Sequence, residues 1–186
     1  FTFTLLICFN LKAKEDKKTD SLDSEVKKYN MNVFINPASI LLTGGLRGGI
    51  SFPIDKKISI GAEYFSFEMT SGALKASSSG LSLLGQYNFS GLFKDSYYSN
   101  IHIGYNTINV ENTLFLNEYE APTTVISFIY GKQWVWDSSF NIKFGIGFQN
   151  ITIGSIELKK GQGAQEIPSQ YEGTLLDGEL TLGFFL

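Results

Sequence analysis

From about Asn32 onward the chain alternates apolar and polar residues with a period of two. The clearest run is Phe140, Ile142, Phe144, Ile146 and Phe148, interleaved with Asn141, Lys143, Gly145, Gly147 and Gln149. Ile58, Ile60, Ala62 and Tyr64 alternate with Ser59, Gly61, Glu63 and Phe65. Leu81, Leu83, Gly85, Tyr87 and Phe89 alternate in the same way with Ser82, Leu84, Gln86 and Asn88. Ile101, Ile103 and Tyr105 are set against Asn100, His102, Gly104 and Asn106. Leu176, Gly178, Leu180, Leu182, Phe184 and Leu186 are set against Asp177, Glu179, Thr181 and Gly183. Successive side chains of a strand point to opposite faces, so each run predicts a strand with one apolar face and one polar or glycine face.

Such strands build a soluble sandwich or barrel if the apolar face turns inward, or a membrane barrel if it turns outward. Three features favour the membrane. Several runs reach the roughly 9–11 residues that cross a bilayer, against about five or six in globular strands. The polar face mixes glycine with ionisable groups, as a narrow closed lumen does. Connections also alternate in length. Residues 55–57, 92–96 and 137–139 form short turns, whereas 69–79, 111–121 and 159–173 form longer polar loops. The expected fold is therefore all-β, an eight-stranded antiparallel up-and-down transmembrane β-barrel. Its lipid-facing set includes Ile58, Ile60, Leu81, Leu83, Ile142, Phe144, Ile146, Leu180 and Leu182.

Parity tests the count. An exported chain starts in the periplasm and its last strand returns there, so the number of strands is even. Seven are evident, and a break at Thr43-Gly44-Gly45 divides the first into an ascending strand over 32–42 and a descending one over 46–54. Pro37 is the weak point, because proline is confined to strand edges and bulges. Were the break elsewhere, 32–42 would be a periplasmic or lumenal segment.

Upstream of this pattern the chain changes character. Residues 1–13 read as the remnant of a signal peptide, with Leu11-Lys12-Ala13 as a loose cleavage site. Cys8, the only cysteine, lies within it; a lipoprotein reading is weakened by the bulky Ile7 before it. Residues 14–31 alternate in charge and carry only Leu22, Val26 and Tyr29 at helical spacing, which predicts a charged periplasmic spacer. The barrel domain is then 32–186. The net charge of −3 and the absence of a basic patch exclude nucleic acid as a partner class. Trp134 and Trp136, with Tyr97, Phe140 and Phe184, fall near the short turns. Tyr64, Tyr105 and Phe148 fall nearer the long loops, as two aromatic girdles would. Lys132 fits a lipid face only by snorkelling to the interface.

The alternating strands, the leader-like start and the final alternating run closing on Phe184 and Leu186 resemble small bacterial outer-membrane barrels of the OmpA/OmpX type. The resemblance is one of architecture and covers nearly all of the chain after the leader. It implies partnership with the outer-membrane bilayer and with the barrel-assembly machinery, for which Phe184 and Leu186 would be the signal. Leu186 departs from the usual aromatic last residue.

The ionisable residues on the inward face are Arg47, Glu63, Lys143, Asp177 and Glu179. Arg47 and Glu63 come opposite or diagonal across the 55–57 turn, and Lys143 has Glu179 and Asp177 on the neighbouring final strand. Buried charges persist when paired and hydrogen-bonded, so an ion-pair plug is expected, with a selectivity ring in a narrow pore as the alternative. His102, the only histidine, is expected to be a satisfied lumen residue; Ser99 lies on the opposite face of its strand. No catalytic set, metal site or cofactor is assigned. Gly44-Gly45-Leu46-Arg47-Gly48-Gly49 lacks the Lys-Ser/Thr ending of a phosphate loop. The leading expectation is a non-enzymatic barrel, structural or surface-displaying, with possible partners reached through loops 69–79, 111–121 and 159–173. A narrow channel or carrier for small apolar molecules and a soluble lipocalin-like binder are the alternatives.

Overall fold

The computed structural model describes residues 29–43, 45–112, 114, 116–161 and 173–186. Among the described residues there are nine antiparallel strands and one short helix: β1 Asn32–Ile35, α1 Pro37–Thr43, β2 Arg47–Pro53, β3 Ile58–Ser71, β4 Leu74–Asn88, β5 Ser96–Asn112, β6 Asn117–Val135, β7 Phe140–Ile153, β8 Glu157–Lys160 and β9 Gly173–Phe185. They form one sheet in the order β5-β4-β3-β2-β1-β9-β7-β6-β8, and pairing of β5 with β6 closes it into a ring. β8 pairs with β6 over Glu118–Glu120, beyond the end of β7 at Thr123. β7 and β8 thus share one place beside β6, and the ring has eight strand positions.

Cross-strand partners share a face, and the register sorts the residues cleanly. Ile58 pairs with Tyr87, Ile60 with Gly85, Leu83 with Ile103, Ile101 with Phe128, and Phe144 with Leu180, all outward. All nine residues of the expected lipid-facing set point outward. Ser59, Glu63, Gln86, Asn88, Asn100, His102, Gln133, Asn141, Lys143 and Glu179 point inward and are buried. Large apolar side chains outside, with amides and charges inside, reverse the arrangement of a soluble core.

Four expectations about boundaries are corrected. The strand expected over 32–42 stops at Ile35. Pro37 lacks the N–H a strand would donate, and its fixed φ suits the first position of a helix. It opens α1, with the Asn36 carbonyl accepting from Ser39 N at 3.3 Å and Ser39 Oγ at 2.7 Å. The loops expected over 69–79 and 111–121 are mostly strand. β3 and β4 run on to a two-residue turn whose first residue, Gly72, has φ +59, a conformation such turns need and glycine supplies. β5 and β6 continue to the pair Asn112 and Asn117. Polarity suggested loops there, but the period of two continues with serines, threonines and charges on the outside. Residues 29–31, expected in the spacer, belong to the ring: Asn30 N donates to Leu186 O at 2.7 Å and Leu186 N to Met31 O at 2.8 Å. The expected leader, most of the spacer, Gly44 and most of the 159–173 loop lie outside the described residues.

The wall is uneven. β1 pairs with β9 only from Leu182 to Phe185, and β2 reaches no higher on β3 than Phe65. Above this low β1–β2 side, α1 lies against β9, β3 and β2. After α1 the chain returns through Gly45, which passes hard against β3; a Cβ there would lie 1.7 Å from the Ser66 carbonyl oxygen.

Candidate functional site: the charged interior

At mid-height the interior is crossed by a polar network. Arg47, from the top of β2, reaches Glu63 on β3 with Nη2–Oε1 at 2.9 Å and Nε at 3.1 and 3.2 Å from the two carboxylate oxygens. This forked contact is the strong form of the pair. The same guanidinium reaches past β1 to Asp177 on β9, Nη1–Oδ1 3.9 Å. His102, on β5, places Nδ1 3.0 Å from Glu63 Oε1 and 3.3 Å from Arg47 Nη2, and Nε2 3.9 Å from Glu179 Oε2. A proton on Nδ1 would give Glu63 one more donor.

Glu179 is held from β5. Tyr98 donates its hydroxyl to Glu179 Oε1, and Asn100 Nδ2 donates to the same oxygen at 3.0 Å. Two inward glycines make room for Tyr98, which is fully buried. A Cβ on Gly131 or Gly145 would lie 2.7 or 2.6 Å from the Tyr98 hydroxyl. Ser127 donates to Asp177 Oδ2. Four of the five sequence-predicted residues, Arg47, Glu63, Asp177 and Glu179, thus join one network around His102.

Lys143 is the exception, and the expected pairing with Glu179 is corrected. Its ammonium donates to Gln86 Oε1 and lies 5.7 Å from the centre of the Phe34 ring and 6.0 Å from that of Tyr98. Among the described residues no carboxylate comes within ion-pair distance of it. Lys143 sits a level below the carboxylates, among amides: Gln86 donates to Asn88 Oδ1 and Gln133 Oε1, and Gln133 donates to the Leu92 carbonyl. A cavity of about 10 Å³, room for one water molecule, adjoins Lys143, Asn32, Gln86 and Gln133. Below it Tyr29, Phe93 and Phe185 pack ring to ring, with centroids 4.9–5.8 Å apart. Phe185 points inward there, while Phe184 points outward against Phe140 at 5.1 Å; Leu186 is exposed.

Sequence reasoning placed His102 inward without seeing it as the hub, and missed Tyr98 and Ser127. The alternation already assigned their faces; which rows coincide depends on the stagger between strands, which one sequence does not display. Gly48 and Gly49 lie within β2, and a Cβ on Gly49 would lie 2.2 Å from the Ala62 carbonyl oxygen, so close strand approach accounts for that glycine.

On the exterior near the short turns, Lys132 extends between two aromatic rings, 5.8 Å from Tyr97 and 5.2 Å from Trp134. At the opposite end the outside carries exposed pairs, Lys75–Glu68 at 2.8 Å and Lys160–Glu118 at 3.1 Å. The hydrogen bond and charge of Glu68 raise the Lys75 pKa above its ordinary value. Among the described residues no cluster of three His, Cys, Asp or Glu side chains is arranged to share a metal ion, and no helix is long and apolar enough to cross a membrane.

No family model matches the chain, and no curated protein or solved structure matches it.

Proposed function

We propose that this protein is a non-enzymatic β-barrel of a bacterial outer membrane: eight strand positions running up and down, a lumen plugged by charged side chains, and strand extensions displayed outside. One observation carries the reading. Along β3 and β5 the two faces exchange character at about the same height, and on β4 between them the outer face changes with theirs. Below, the outside is apolar (Ile60, Leu83, Ile103, Phe128, Ile146, Leu180) and the inside polar. Above Tyr64, Leu81 and Tyr105 the outside becomes Ser66, Glu68, Ser79, Lys75, Thr107 and Glu111, and the inside becomes Phe65, Phe67, Ile108 and Val110.

A wall standing in hydrocarbon below and in water above has this pattern. A soluble lipocalin-like barrel asks for an apolar inside along its whole length. A structural and display role fits the plug and the tall hairpins β3–β4 and β5–β6, which would meet any extracellular partner. The sole histidine lies against Glu63 and Arg47 through Nδ1, and its cross-strand neighbour Ser127 donates its hydroxyl to Asp177 rather than to the imidazole, which supports a non-enzymatic role.

Fractionation of expressing cells, with gel migration before and after boiling, tests the reading. The expected result is detergent-dependent extraction and a faster-running unboiled form. Full recovery in the soluble fraction without detergent overturns it.

A further inference from the structure

The outer face of the lower ring carries one charge that no protein group answers. Between the short turns and the level of Tyr64, Leu81 and Tyr105, Lys132 is the only charged side chain facing outward among the described residues. Its cross-strand neighbours are Tyr97 on β5 and Phe144 on β7, both outward and exposed. It stands close to the lower end of β6, which closes at Val135. The ammonium lies 5.2 Å from the centre of the Trp134 ring and 5.8 Å from that of Tyr97. Among the described residues no carboxylate comes within ion-pair distance of it. Asp95, in the turn below, accepts instead from Val135 N at 2.9 Å.

The surroundings of that charge are aromatic. Tyr97 stacks on Tyr130 with ring centroids 6.0 Å apart and planes 6° from parallel. Phe89 packs edge-on with Tyr130 at 6.1 Å and with Tyr87 at 5.2 Å. These four rings are exposed and make a strip across β4, β5 and β6 at the short-turn end. Tyrosine and tryptophan rings sit where hydrocarbon meets lipid headgroups, because each has an apolar body and a polar tip. A lysine held in hydrocarbon is costly, but its long stem lets the ammonium reach that same level.

We propose that Lys132, framed by Tyr97 and Trp134, binds the phosphate of one anionic phospholipid in the leaflet on the short-turn side. The proposal rests on the membrane reading of the lower ring. The unanswered charge calls for an anion, and at the lower rim of the band the anion within reach is a lipid phosphodiester. The two rings that could hold a headgroup ammonium already hold that of Lys132. A zwitterionic lipid therefore gains only through its phosphate and sets its own cation against the lysine. A lipid with a net negative head, such as phosphatidylglycerol, meets no such conflict. An acidic peptide would leave its amides unpaired among rings and acyl chains to reach the same point.

Trp134 reports on the site, because the chain has two tryptophans and Trp136→Phe leaves it as the sole one. The full chain with that substitution is folded into phosphatidylcholine vesicles. Separate samples contain equal mole fractions of phosphatidylglycerol or phosphatidylcholine brominated high on one acyl chain, and quenching of Trp134 is compared. Phosphatidylglycerol is expected to quench with about fivefold greater apparent affinity, the scale of one lysine at an anionic lipid surface. The preference is expected to fall to near equality in Lys132→Gln. It should persist in Lys132→Arg and in Lys57→Gln, which removes a lysine of the β2–β3 turn. Equal quenching by both lipids before Lys132 is changed overturns the phosphate site and leaves the membrane reading standing. So does a preference that survives Lys132→Gln or is lost equally in Lys57→Gln. Trp134 that neither lipid quenches overturns both.

Discussion

Glu63 and Lys143 carry opposite charges on the same polar interior, yet their surroundings predict different consequences of losing them. Glu63 is the acceptor for Arg47 and lies against His102; Glu63 and His102 are buried and Arg47 is partly buried. Removing one member of a buried pair strands the other, at a cost of about 3–5 kcal/mol. Lys143 satisfies Gln86 alone, so Lys143→Met leaves one amide oxygen short of a donor, at about 1–3 kcal/mol. Urea unfolding in vesicles is expected to place Glu63→Ala well below Lys143→Met; the reverse order would contradict the network. Tyr98 gives a second residue-scale prediction. Gly145→Ala puts a methyl where its hydroxyl sits and breaks its bond to Glu179. The expected loss is about 1–3 kcal/mol, and it should shrink in a Tyr98→Phe background, where that bond is already absent, without vanishing, because the methyl would also lie 2.6 Å from Ile129 Cγ2. The charges themselves were legible from alternation alone. The failure for Lys143 was one of height: β9 does pass beside β7, but Lys143 stands opposite Thr181, and its side chain extends down toward the amides.

At the level of strands, a residue's face and its height together decide what a substitution costs. Arginine at Ile146, outward and inside the apolar band, is expected to cost about 2–4 kcal/mol. Arginine at Thr107, outward but above the band, should stay within about 0.5 kcal/mol, as surface substitutions do. Equal tolerance at both sites, measured by refolding into vesicles, would remove the case for hydrocarbon around the lower ring. Alternation supplied the strands and their faces because a period of two needs no partner to be seen. It did not supply the ends of β3, β4, β5 and β6, because polarity on one face was read as loop. The exchange of faces at Tyr64 and Phe65 is present in the sequence, where Ser66, Glu68 and Thr70 alternate with Phe67 and Met69. It is recognisable once the pairing Phe67–Ser78 and Met69–Ala76 puts these residues on one inner wall. The first strand failed for a local reason: Pro37 opens a helix, and what looked like half a hairpin became four strand residues and α1.

For the whole molecule the question is whether anything passes through. Three layers close the interior in turn. Uppermost is the Arg47–Glu63–His102–Glu179 layer, next the amides around Lys143, and last the rings of Tyr29, Phe93 and Phe185. Eight strand positions leave a bore that side chains fill, and the cavity beside Lys143 holds no more than a water molecule. Two cations face three carboxylates in that bore, so an anion would meet a net negative interior and a cation would need to displace Arg47. Vesicles containing the folded protein are therefore expected not to swell in arabinose, and planar bilayers should show no unitary steps. Glu63→Ala frees Arg47 but leaves the amide and aromatic layers intact, so it too should stay closed. Steady conduction by the parent protein would mean that these layers open together, and the plug would then be a gate.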